Sequence, residues 1–192
     1  MKIKKILVVQ IVLLLCLASL NFGEESLFTA DIVQRALTKK VFAFIETNKE
    51  TIIEDWIFLT EIPAPSGFEE KRADLLKKKF EDAGLDKVYI DEAGNVVGIW
   101  IGTEKGKNIV VPAHLDTVFQ DLWEIKVKRE GNVLKAPGVG DDTASLIHLV
   151  WSVRALKSAG FKPENTYYFV ATVGRRKDFL ACVLLWKILL KR

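Results

Sequence analysis

The chain opens on Met1-Lys2-Ile3-Lys4-Lys5 and passes into an almost continuous apolar run over residues 6–20, interrupted by Gln10 and Ser19. A positive start before an apolar stretch of that size predicts a secretory signal. Its cleavage site is poor, because Leu20 follows Ala18-Ser19 where a small residue is wanted. An uncleaved N-terminal anchor is the rival reading, and lipidation at Cys16 behind Leu13-Leu14-Leu15 is a third. A buried core helix fits less well, since the run has no amphipathic period. From Ser26 the pattern turns broadly helical. Phe28, Ile32, Leu37, Val41, Phe44, Ile45, Ile52, Ile53, Trp56 and Leu59 recur mostly three and four apart, with gaps near Leu37 and Ile52. Pro63 and Pro65 end that stretch.

Residues 68–83 predict a second amphipathic helix, with Ala73, Leu76, Phe80 and Ala83 as its apolar line and Gly84 as its stop. Two strands, 88–91 and 95–101, are expected about the Glu92-Ala93-Gly94 turn. The run 108–113 suits a buried strand. Residues 124–129 and 133–135 read as a hairpin about Gly131-Asn132. Residues 142–159 predict a helix lined by Leu146, Leu149, Val150, Val153 and Leu156, and 166–173 a central strand. Strands alternating with helices point to an α/β domain with a mostly parallel sheet flanked by helices.

Composition sharpens this picture in one respect. The 192 residues carry 28 basic and 25 acidic side chains, a net of +3. Three of the basic residues lie in 1–23 and six in 175–192, whereas Asp178 is the one acid in those two segments. The body, 24–174, therefore carries a net charge of −5. That excludes a nucleic-acid module, which needs a basic face on the folded domain. Cys16 and Cys182 lie in the apolar ends, so no disulfide framework is implied.

Two segments carry chemistry. His114-Leu115-Asp116-Thr117 follows the apolar run 109–113, and the C-terminal ends of strands are where ligands sit in open α/β sheets. His114 and Asp116 are two apart, so an extended backbone points them the same way. An imidazole there can bind a metal while a carboxylate orients it. The second segment, Pro137-Gly138-Val139-Gly140-Asp141-Asp142-Thr143, places two acids at a helix start. An aspartate there is ordinarily a cap. Two adjacent aspartates behind a Gly-x-Gly turn raise the metal reading, because carboxylates clamp divalent ions. A dinucleotide fingerprint is excluded by the missing third glycine. His148 reads as a core or boundary histidine, Trp56, Trp100, Trp123 and Trp151 as packing, and Lys77-Lys78-Lys79 as a solvated helix face.

Pro63-Ala64-Pro65-Ser66-Gly67, Asp91-Glu92-Ala93-Gly94-Asn95-Val96, His114-Leu115-Asp116-Thr117-Val118 and Gly138-Val139-Gly140-Asp141-Asp142-Thr143 occur in the order and approximate spacing of one family. The stretch from Trp56 to Gly174 resembles the co-catalytic zinc metallopeptidases and amidohydrolases that include peptidase T, aminoacylase and acetylornithine deacetylase, the tripeptidase branch above all. The resemblance implies a zinc-exopeptidase catalytic fold, two zinc ions and a short peptide substrate. It implies that His114 ligates one zinc, that Asp141 bridges both, and that Asp116 orients His114 in a catalytic role. Asp142 is expected to be a neighbour and cap rather than a ligand.

The resemblance also marks departures. It implies a glutamate pair after the strand 166–173, the first a general base and the second a zinc ligand. Here Arg175-Arg176-Lys177 follow Val173-Gly174. Arginine neither binds zinc nor accepts a proton. Of the ligands that the resemblance implies, His114 and Asp141 remain, too few for a closed or catalytic zinc site. The expectation is an exported or membrane-anchored signal at 1–23, a truncated and inactive catalytic domain at 24–174 without a dimerisation domain, and an atypical apolar and basic tail at 175–192. A frameshift just before Arg175 would account for the pair, since GAAGAAGG reads Glu-Glu-Gly in one frame and Arg-Arg in another. The alternatives are a non-catalytic binding module and a membrane-associated interaction protein. Loss of later strands would leave residues 167–173 as an exposed edge.

Overall fold

Residues 35–121 and 124–174 are described by a computed structural model. The signal-like segment, the first part of the expected helix from Ser26, Trp123 and the tail 175–192 lie outside the described residues. By its contacts the chain divides into units 1–38 and 39–192, and every element but the start of the first helix lies in the second.

The helical stretch before Pro63 is two helices, α1 (Ala36–Thr47) and α2 (Lys49–Thr60). They part at Asn48, whose side chain donates to the Phe44 carbonyl at 2.8 Å while its backbone leaves helical values. The remaining elements are α3 (Glu70–Asp82), β1 (Lys87–Ile90), β2 (Val96–Trp100), β3 (Asn108–His114), β4 (Lys128–Glu130), β5 (Val133–Lys135), α4 (Thr143–Ser158) and β6 (Thr166–Thr172). The hairpin is shorter on its first strand than expected, and Glu130 pairs with Val133 across its turn.

Four strands form one sheet in the order β1-β2-β6-β3. It is mixed rather than mostly parallel: β1 and β2, and β2 and β6, are antiparallel, and only β3 and β6 run parallel. The tight turn at 91–95 forces the first pairing, because a five-residue link cannot supply a crossover. Asp91 holds that turn by accepting the N–H groups of Ala93 and Asn95, each at 2.9 Å. β6 is an interior strand between β2 and β3, so it is not an exposed edge.

One face of the sheet carries Val96, Trp100, Ala113, Phe169 and Ala171, and α3 and α4 pack there with Leu76, Phe80, Leu146 and Val150. A Cβ at Gly98 would stand 2.4 Å from Leu85 Cδ1 and 3.0 Å from Phe80 Cδ2, so its bare backbone is what lets α3 settle on β2. Trp100 and Trp151 are buried, as packing residues should be. Two surface expectations are corrected. His148 is exposed, because it falls opposite the buried line of α4. Lys79 is buried, because its ammonium reaches Asp55 of α2 at 2.6 Å. Asp55 also accepts from Trp151 Nε1 at 3.1 Å, which ties α2, α3 and α4 at one point.

Candidate metal centre

β3 and β6 run parallel, so they end side by side, with His114 opposite Thr172. Just beyond, the Leu115 N–H donates to the Thr172 carbonyl at 2.7 Å. His114 is thus the last residue of its strand, its side chain 11% exposed. Under this turn lies Arg72, 1% exposed on the inner face of α3. Its guanidinium donates to the carbonyls of Thr60, Ile62 and Leu115. Burial pulls its pKa down to about 10, against the charge of Asp116, which favours the cation. Nothing in the sequence reading singled Arg72 out. The available signal was an arginine at the start of the apolar line that continues through Leu76 and Phe80.

The second segment is a loop packed onto the same end of the sheet. Trp56 Nε1 donates to the Val139 carbonyl at 2.7 Å, and Thr143 Oγ1 to that of Gly138 at 2.8 Å. Gly138 has φ +74, and a Cβ there would meet Thr117 Cγ2 at 2.9 Å, so glycine is required on both counts. The loop then delivers Asp141 and Asp142, joined by a cis peptide bond, to the face of His114.

His114, Asp141 and Asp142 each offer one ligand atom, and those atoms lie within 4.8 Å of one another. His114 Nε2 is 2.9 Å from Asp141 Oδ1 and 3.8 Å from Asp142 Oδ2. Asp142 Oδ2 also accepts the His114 N–H at 3.0 Å. Asp142 is the expected neighbour of the site, but its expected capping role is corrected: it occupies the N-cap position of α4, makes no side-chain cap hydrogen bond, and faces His114 instead. On the other side of the ring, Nδ1 stands 2.9 Å from the Asp116 carbonyl and 3.1 Å from Asp116 Oδ1. Asp116 is buried, with Ser66 Oγ donating to its Oδ2 at 2.6 Å. The acids raise the His114 pKa to about 8, the Asp116 hydrogen bond most of all, against the lowering effect of burial.

This donor set suits a borderline divalent ion: one imidazole and two carboxylates match zinc ligation, where three protein ligands commonly leave a position open. Asp141, at 69% side-chain exposure, lies at the open side, whereas Asp116 is enclosed at 3%. The structure thus brings together His114, Asp116 and Asp141, turns Asp142 toward the same imidazole, and adds Ser66 and Arg72 around them.

Comparison with known proteins gives the same direction. Residues 110–174 match the model of Peptidase family M20/M25/M40. A Pyrococcus abyssi protein provisionally named LysW-lysine/LysW-ornithine hydrolase is 38% identical over 109 residues, covering 57% of this chain and 31% of that protein. A tripeptidase from Staphylococcus aureus superposes with a TM-score of 0.63 at 25% identity, over 75% of this chain and 41% of that one. Aminopeptidase PepT from Bacillus cereus shares the fold with a TM-score of 0.61 at 24% identity, over 71% and 39% of the two chains. The chain spans 31% and 38% of the length of the two leading curated relatives. Residues 110–174 thus resemble the M20/M25/M40 peptidase family, and the mixed α/β architecture is shared with two solved peptidases over about two fifths of their length.

Proposed function

We propose that this chain is the metal-binding part of a zinc-dependent exopeptidase-type hydrolase, and that as written it binds a divalent cation without hydrolysing peptides. The observation that carries the reading is the convergence of His114, Asp141 and Asp142 within 4.8 Å at the paired ends of β3 and β6. These three side chains would hold the ion, and a bound zinc would supply Lewis-acid chemistry for amide hydrolysis. Asp116 would fix the ring so that Nε2 presents its lone pair.

The inactivity follows from what stands beyond β6. A general base must accept a proton, and Arg175 and Arg176 occupy the positions where the resemblance implies glutamates. Among the described residues no other His, Cys, Asp or Glu joins the group. A short peptide is the substrate class suggested by the tripeptidase and aminopeptidase likenesses. Export is the matching address, supported by the positive start and apolar run of residues 1–20. The test is a zinc-supplemented assay of the full chain against di- and tripeptides. No amino acid release above the rate of a His114→Ala control is expected. Release that the control abolishes would show that the chain is a working peptidase.

A further inference from the structure

Ser66 stands outside the ligand group yet reaches Asp116, the carboxylate behind its histidine. The segment 63–67 is fastened to the end of β3: the Thr117 N–H and Oγ1 donate to the Ala64 carbonyl at 2.7 and 3.3 Å, and Pro65 bridges Thr117 in parallel. From the other side Glu69, 5% exposed, accepts the N–H of Gly67 at 2.9 Å and that of Gly174 at 3.2 Å. Held at both ends, Ser66 aims its hydroxyl at Asp116 Oδ2, 2.6 Å away, while Asp116 Oδ1 faces His114 Nδ1 at 3.1 Å. The three side chains form one line that ends at His114 Nε2, the atom facing Asp141.

A hydroxyl donating to a carboxylate makes a short, charge-assisted bond. The χ2 torsion of an aspartate is broad and offers no intrinsic preference to hold the carboxylate plane. A donor on one oxygen therefore decides where the other points. We propose that Ser66 is a positioning residue for the metal centre, turning Asp116 so that His114 keeps its proton on Nδ1 and offers Nε2 to the ion. The inference rests on His114 being a metal ligand, and goes beyond that reading by adding a partner two steps behind that ligand.

The experiment compares Ser66→Ala, Ser66→Thr and Ser66→Val in the full chain. Ser66 lines a cavity of about 400 Å³. Two quantities are read: zinc affinity by competition with a chromophoric chelator, and the His114 Nδ1–H resonance in the metal-free chain. Loss of an orienting partner costs about tenfold in metal affinity, and S66A and S66V should show that loss together with a broadened Nδ1–H signal. S66T keeps the hydroxyl and should keep both. The Thr–Val pair, alike in shape, decides the matter if S66A is poorly folded. Equal zinc affinity and an equal signal in S66T and S66V would overturn the proposal. If no variant, nor the unsubstituted chain, takes up zinc, the metal reading falls, and the Nδ1–H signal alone then decides the role of Ser66.

Discussion

His114 Nδ1 and Asp116 Oδ1 lie 3.1 Å apart at the end of β3, with the carboxylate 3% and the imidazole 11% exposed. A carboxylate so placed favours the imidazolium, and Asp141 and Asp142 on the far side add to it, which is why the pKa stands at about 8 rather than 6.5. The folded state thus holds the proton more tightly than the unfolded chain does. Its contribution to stability is full below about pH 6.5 and is lost as pH rises through about 8. The chain has two histidines, so NMR titration of the metal-free protein resolves His114 once His114→Gln identifies its signal. A midpoint near 8 that falls in Asp116→Asn is expected, and one at or below 6.5 would contradict the geometry.

Protons and metal compete for His114 Nε2. Zinc affinity should therefore rise with pH up to about 8 and flatten above it, with proton release shrinking over the same range. Calorimetry in buffers of different ionisation enthalpy measures that release. Affinity independent of pH between 6 and 8 would mean that the ion binds elsewhere.

Arg72 spans three backbone carbonyls from a position 1% exposed. Arg72→Ala strips their donor and the cation facing Asp116, and should cost about 3 kcal/mol in urea unfolding. Zinc affinity should fall as well, because Leu115 sits between His114 and Asp116. A loss under about 1 kcal/mol would show that the guanidinium is not what holds this turn.

At Gly98 the argument is steric. A methyl placed 2.4 Å from Leu85 Cδ1 and 3.0 Å from Phe80 Cδ2 forces those side chains to shift, and Gly98→Ala should cost about 1–3 kcal/mol. Unchanged stability would show that Leu85 and Phe80 give way freely.

Trp56 joins α2 to the loop that carries the acids. Trp56→Phe keeps one aromatic ring but removes the bond to the Val139 carbonyl and part of the indole's packing, which should cost at least about 1 kcal/mol in stability. Zinc affinity should drop with it, since the loop loses its outer tether. A stability loss without any change in zinc affinity would make Trp56 a packing residue alone.

Much of this was legible along the chain because local patterns decide it. The 3–4 spacing through Ala73, Leu76 and Phe80, the turn residues at 91–95 and the β-rich run 166–173 each name their element without help from the rest. Local pattern marks His114, Asp116 and Asp141 as lying at element boundaries, whereas their sharing one site was implied by the family resemblance. What was not legible is long-range. The position of β6 between β2 and β3 depends on partners 58–75 residues away, so local pattern could not show that the sheet is mixed. Lys79 looked solvated until Asp55 arrived from another helix. Asp142 has the sequence position of a cap, and its side chain turns to His114 because β3 brings a backbone N–H within 3.0 Å of it.

The most direct test of the account is zinc uptake by the full chain, measured as stoichiometry after dialysis. The account predicts one zinc per chain, lost in His114→Ala and in Asp141→Asn while both variants stay folded. No uptake, two tightly held ions, or binding that survives His114→Ala would contradict it.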